Sequence, residues 1–392
     1  MATKNSVVSW DKLLNVLFFA LVVLNNTLGS DPTLYVVSKY VMLIFMVCSI
    51  IKLITKRKIS IDQNLLVPSL FALLEITSIL WSQNRSAALS QLITQLQLYA
   101  LFIMSYYYIK TDAKRVHVFL QATYISGYTL AFYAIYKYGL SGFLALMRSG
   151  IRMGGLITNQ NTFGIVFSTA AIVSFYYMLK KNNKKYLVSI GIFTFFALSS
   201  GSKKAALMLV VGIILLSIMY YGIKRIWKTL LIISAIVIAA YFILRLPLFA
   251  TIYERLEEFF SGDLNVSDLN RRRFNEIGMK VFWNRPLFGY GLNNYATVTG
   301  IGTYSHNNFI ELLVGLGIIG LVLYYYPYIV SLIRIFKHSI GKDVTSLIII
   351  VLLVISIVFG YGMVQFYEKD AWIMCAVCLG YSVNELLKRK FD

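Results

Sequence analysis

Twelve apolar stretches of bilayer-spanning length recur along this chain. They lie near residues 13–29, 34–51, 64–81, 87–109, 116–138, 155–179, 186–202, 204–222, 229–246, 305–333, 344–364 and 372–386. In hydrocarbon every backbone N–H and C=O must be satisfied within the protein, so about 17 to 25 consecutive apolar residues cross as a helix. The pattern predicts an all-α polytopic membrane protein: one integral domain over residues 1–392, with about twelve transmembrane helices. Composition agrees, with 58% of the 392 residues hydrophobic and a mean hydropathy of +0.70, too apolar for a water-soluble chain of this length.

Lysine and arginine in short loops are retained on the cytoplasmic side and so set orientation. Here 22 of 37 fall on one side, at Lys4, Lys12 and the clusters "KLITKRK", "KTDAKR", "KKNNKK", "KRIWK", "RIFKHSIGK" and "KRK". Both termini are therefore expected in the cytoplasm. The first apolar stretch lacks a following small-residue cleavage site and reads as a retained helix. The net charge of +20 is explained by this insertion bias and by attraction to anionic head groups, so membrane lipid is an expected partner and nucleic acid is not.

One connection differs from the rest. Residues 247–304 form a single long loop on the outer face, and loops of that length are uncommon unless functional. In "PLFATIYERLEEFF" the spacing of Ile252, Leu256, Phe259 and Phe260 predicts an interfacial amphipathic helix. A second helix is predicted in "SDLNRRRFNEIGMKVFWN", capped by Ser267 or Asp268 and ended by Pro286. At about 100° per residue its apolar face holds Leu269, Phe274, Ile277 and Val281, with Arg271 and Arg273 at the border and Arg272 pointing away. A solvated basic turn is the plainer alternative for these arginines.

Two further basic sites face the same side: "RSGIRMGG" with Arg148 and Arg152, and "SGSKKAAL" with Lys203 and Lys204. Lysines at the outer junction of two apolar helices oppose the insertion bias and need a reason, of which snorkelling to head groups is one. Guanidinium forks and ammonium groups match the charge and geometry of phosphate. On the outer face of a membrane the substrate they imply is a lipid diphosphate.

The chain has three histidines. His117 and His338 sit at the cytoplasmic side, where structural or solvated roles are expected. His306, in "TYSHNNFIEL", stands at the mouth of the tenth span near the arginine-bearing loop. A neutral imidazole accepts a hydroxyl proton, and nearby cations favour the neutral form, so His306 is the candidate general base.

Two motifs are set aside. "CAVC" at Cys375 and Cys378 has redox-like spacing but lies in an apolar helix, so these residues and Cys48 read as small core side chains. "GLGIIG" fits a dinucleotide-binding pattern without its strand–turn–helix setting, and Gly315, Gly317 and Gly320 are expected to serve close helix packing. No metal-ligand cluster and no cofactor motif is seen.

From "NRRRFNEIGMKVFWNRPLFGYGLNNY" through "YSHNNFIELLVGLGIIGLVLYY" the chain resembles the bacterial O-antigen and capsule polymerase and O-antigen ligase superfamily, with its arginine-led helix, "P-L-F-G-x-G" turn and "H-N-x-x-(L/I)-E" entry to a helix. "SILWSQNRSAAL", "RMGGLITNQN", "SSGSKKAAL" and "YGMVQFYEKDAW" resemble its other external turns. Lys203 stands where many relatives carry arginine, and Asn275 where many carry tryptophan. The resemblance implies a GT-C-like glycosyltransferase architecture in the bacterial cytoplasmic (inner) membrane, acting without metal on undecaprenyl diphosphate-linked oligosaccharide. It implies catalytic roles for His306 and Arg271, diphosphate binding by Arg152, Lys203, Arg273 and Arg148, and support from Asn307, Glu311 and Asn161. It also implies a chain-length regulator and a flippase as partners.

The expected reaction is polymerisation of lipid-linked repeat units into O-antigen or capsular polysaccharide, favoured by "SHNNFIEL" and "VQFYEKDAW". Ligation of the lipid-linked glycan to lipid A core is the alternative. A transporter of lipid-linked sugar or small solute is the alternative of another class, and would be expected to carry ionisable groups at mid-membrane in broken helices.

Overall fold

Polar residues start many of the helices, and their lengths follow the apolar runs. The computed structural model describes residues 9–55, 62–149, 151–243, 245–250, 253, 254, 257, 261, 266–339 and 343–391. The helices are α1 (Trp10–Leu28), α2 (Tyr35–Thr55), α3 (Leu66–Ser78), α4 (Arg85–Lys110), α5 (Val116–Ser149), α6 (Gln160–Lys181), α7 (Tyr186–Ser199), α8 (Lys203–Tyr221) and α9 (Ile226–Ile243), then α10 (Val266–Phe282), α11 (Tyr295–Thr299), α12 (Asn308–Ser339), α13 (Val344–Phe359) and α14 (Lys369–Phe391). No strand occurs among the described residues. Ser9, Asn84, Asn159 and Ser202 each accept a backbone N–H at a helix start.

Ten helical segments among the described residues are long and apolar enough to cross a membrane, not twelve. The predicted span 186–202 falls on α7, a shorter apolar helix whose 14 residues reach about 21 Å by themselves against a hydrocarbon core of about 30 Å, and which connects the Lys184 turn to the Lys203 turn. The span predicted at 372–386 falls on α14, which is not among the ten; it opens with Lys369 and Asp370, carries Glu385, Lys388, Arg389 and Lys390 late in its length, and reaches the opposite end of the bundle, where Asn384 donates to Lys110 O (2.8 Å).

α6 packs on α7 and α8, α14 on α4 and α12, and α1 on α5 and α2, around one continuous apolar core. Polar contacts gather at the two ends of the bundle. At one end Asp11 pairs with Lys52 and Arg115 (2.5 Å each), Lys110 pairs with Asp62, and Arg334 donates to Asn64. These groups come from loops assigned above to a single side. At the other end Lys137 pairs with Asp31, and Asn84 N–H donates to the Asn294 side chain. Cys375 and Cys378 are buried and unbridged, and Cys48 is half-buried.

The amphipathic helix read around Ile252, Leu256, Phe259 and Phe260 lies outside the described residues. The second loop helix forms as α10, but its packed face is shifted. Leu269 is exposed, while Gly278 and Phe282 are buried, with Met279 and Val281 beside them, against Tyr295, Ile310 and Val314.

The glycine run also behaves differently from expectation. α12 is broken at Gly317 (φ 68°, ψ −170°), and the segment "PLFGYG" docks into the break. Tyr290 N–H donates to Val314 O (2.9 Å), Gly291 N–H to Gly315 O (2.8 Å) and Ile318 N–H to Pro286 O (2.9 Å). A Cβ on Gly317 would lie 2.1 Å from Leu287 O, so the glycine admits a loop here rather than a neighbouring helix. The break is buried in protein, and its freed carbonyls are already used.

Candidate functional site

His306 sits at the apex of a clamped turn. Its backbone is left-handed (φ 58°), a conformation that costs a non-glycine residue of order 1–3 kcal/mol and persists only where neighbours enforce it. On one side the Ser305 N–H donates to the buried Glu311 carboxylate (2.8 Å) and the Ser305 hydroxyl to Asn307 O (2.7 Å). On the other, the Asn307 side chain accepts from Phe309 and Ile310 N–H and so caps α12. Asn307 and Glu311, expected as supports, both shape this turn. The imidazole lies against Tyr304 (ring centroids 4.2 Å) and stacks with Phe274 of α10 (6.3 Å).

Cations surround it. Burial first, then the charges of Arg271 and Lys204, lower the His306 pKa to about 4. The ring is therefore neutral at ordinary pH. α8 begins with Lys203 and Lys204, adding two ammonium groups to the positive end of a helix dipole. Lys203 pairs with Asp268 (2.9 Å), which also pairs with Arg271 (3.2 Å), tying α8 to α10. Lys204 instead donates to the Gly362 carbonyl in the turn before α14. Arg152 donates from Nε to Ser200 O (2.8 Å) and from its other end to the Asn161 side chain (3.3 Å), which places it on the turn that leads into Lys203.

The structure thus brings together His306, Arg271, Lys203, Arg152 and Asn161 from four separate stretches of sequence. Arg273 is exposed, and the exposed Arg272 side chain pairs with Glu276 (3.1 Å) along its own helix. Arg148 lies on the last turn of α5, and its side chain is outside the described part of the structure. Two members are not among the site residues the sequence leads one to expect. Lys204, rather than Lys203, acts on His306 electrostatically, and Asp268, expected only as a cap, holds two of the cations.

Residues 187–325 match the family described as O-antigen ligase. The match supports the O-antigen ligase and polymerase superfamily. The matched segment runs from α7 into the second half of α12 and includes Lys203, Lys204, Asp268, Arg271 and His306. No curated protein matches the chain. The match supports glycosyl-transfer activity of the O-antigen ligase and polymerase type in general, and the many apolar helices a multi-pass membrane protein.

Proposed function

We propose that this protein polymerises undecaprenyl diphosphate-linked oligosaccharide repeat units on the outer face of the bacterial cytoplasmic membrane. The observation that carries the reading is a neutral imidazole held in a rigid turn beside Arg271 and Lys204, with Lys203 and Arg152 close by. An acceptor sugar hydroxyl gives its proton to His306 while its oxygen attacks the anomeric carbon of the donor. The bond from that carbon to the diphosphate oxygen breaks, and undecaprenyl diphosphate leaves with the electron pair. Arginine and lysine fixed where that charge develops stabilise the transition state more than the ground state.

Burial, and the cations beside it, keep His306 neutral and also a weak base. A bound diphosphate offsets their charge and raises the imidazole pKa toward the working pH, so donor binding arms the base. Ligation to lipid A core is the second reading, favoured by the description of the matched family. Incubating purified protein with lipid-linked repeat units and resolving the products by mass spectrometry separates the two. Doubled and tripled glycans on lipid support polymerisation. Transfer only after lipid A core is supplied means ligation, and transfer to neither returns the transporter reading.

A further inference from the structure

A cavity of about 170 Å³ lies between α1, α5, α6, α8, α13 and the start of α14. That volume accommodates at least one ring-sized group. Its deeper walls are apolar, from Val166, Leu352 and Ile355 among others, whereas its outer rim carries Asn26, Thr162, Gln365, Glu368 and Asp370. Asp370 accepts a hydrogen bond from Asn25. Among the described residues no side chain hydrogen-bonds or ion-pairs with the Glu368 carboxylate, which is accessible from the cavity.

The rim is built from the same parts as the cation site. Asn308, fully buried two residues after His306, accepts N–H bonds from Gln365 (2.7 Å) and Phe366 (2.9 Å) and donates to Tyr325 (2.8 Å). Glu368 N–H donates to Gln365 O (2.8 Å), and Trp372 to Phe366 O (2.8 Å). Lys204 holds the carbonyl of Gly362, next to Met363 of the cavity, and Thr162 follows the Asn161 that meets Arg152. The rim of the cavity therefore shares turns with residues that flank the candidate base and the cation site.

We propose that this cavity receives a sugar ring of the glycan substrate, with Gln365 and the Glu368 carboxylate binding its hydroxyls. A pyranose has apolar C–H faces and a hydroxyl edge, which suits apolar walls under a rim of amide and carboxylate. This rests on the function proposed above and adds the place of the sugar. The ring belongs either to the donor or to the acceptor, and kinetics distinguish them.

The test is Glu368→Gln, with Ser356→Phe to fill the cavity from α13, in protein reconstituted into nanodiscs. Losing a hydroxyl bond to a charged acceptor raises KM for one substrate about tenfold to a hundredfold. A shift in acceptor KM assigns the acceptor sugar, and a shift in donor KM the donor. Saturation-transfer NMR with lipid-free repeat-unit oligosaccharide reads occupancy without turnover. Signal on the wild type that both variants lose supports the cavity even where no transfer is seen. Unchanged KM for both substrates with unchanged glycan signal in both correctly folded variants overturns the proposal while leaving the transferase reading standing. A wild type that neither transfers nor binds glycan overturns both.

Discussion

At His306 the backbone strain, the ring stacking and the lowered pKa all follow from one partly buried turn held by Glu311 and Asn307 beside two cations. The pH dependence follows in sign. In the free enzyme the imidazole loses its proton near pH 4, so the acid limb of kcat/KM falls there, well below the ordinary histidine value of about 6.5. In the donor complex the diphosphate offsets Arg271 and Lys204, and the acid limb of kcat lies higher. Coincident limbs in a pH series of initial rates contradict a base controlled by those cations. Lys204→Ala raises the kcat/KM limb, because it removes one of the charges that disfavour imidazolium. Among the arginines, Arg271 has 28% of its side chain exposed and Arg272 71%, so their replacements differ. Arg271→Ala lowers turnover about 10²- to 10³-fold, the usual cost of one preorganised charge donor. Arg272→Ala stays within about twofold, since an exposed i,i+4 pair contributes roughly 0.3–0.5 kcal/mol. Initial rates normalised to folded membrane protein decide between these outcomes. The outward direction of Arg272 was legible in the sequence because 100° per residue needs no tertiary information, but the exposure of Arg273 was not, because the packed face of α10 is set by Tyr295, Ile310 and Val314. The choice between Lys203 and Lys204 was not, because it depends on Asp268 and Gly362, 65 and 158 positions away.

Elements in this bundle are held by loops as much as by helix packing. Gly317→Ala sets a Cβ 2.1 Å from Leu287 O and forces an L residue into the left-handed region, at a cost of at least about 1–2 kcal/mol. Gly191→Ala in α7, where a Cβ meets nothing within 4 Å, is neutral or stabilising by up to about 1 kcal/mol. Thermal unfolding of the two variants in one detergent checks the contrast, and equal midpoints refute the docking argument. Asn308→Ala removes the acceptor shared by Gln365 and Phe366 N–H. Hydrogen exchange at those two amides accelerates by about tenfold or more, while the amide of Glu311, bonded to Asn307 O, keeps its protection. The break in α12 could not be read from "GLGIIG" because its cause is a segment some thirty positions earlier. The apolar lengths of the spans could be read, because a bilayer imposes them locally.

At the scale of the molecule, the alternation of basic and less basic loops becomes a spatial separation. Asp11, Lys52, Lys110 and Arg115 meet at one end of the bundle, and Arg152, Lys203, Lys204 and Arg271 at the other. The positive-inside bias leads us to expect the first end in the cytoplasm, and the cation cluster then faces the side on which the proposed polymerisation takes place. Single cysteines test this directly, because Cys375 and Cys378 are buried and Cys48 can be replaced. In right-side-out membrane vesicles a membrane-impermeant maleimide labels Arg272→Cys, at an exposed position near the site, without permeabilisation. Lys184→Cys and Lys224→Cys, both at exposed positions in loops of the opposite end, react only once the membrane is opened. The reverse pattern turns the whole bundle over. His306 and its cations then face the cytoplasm, and outer-face polymerisation falls whatever the geometry of the site.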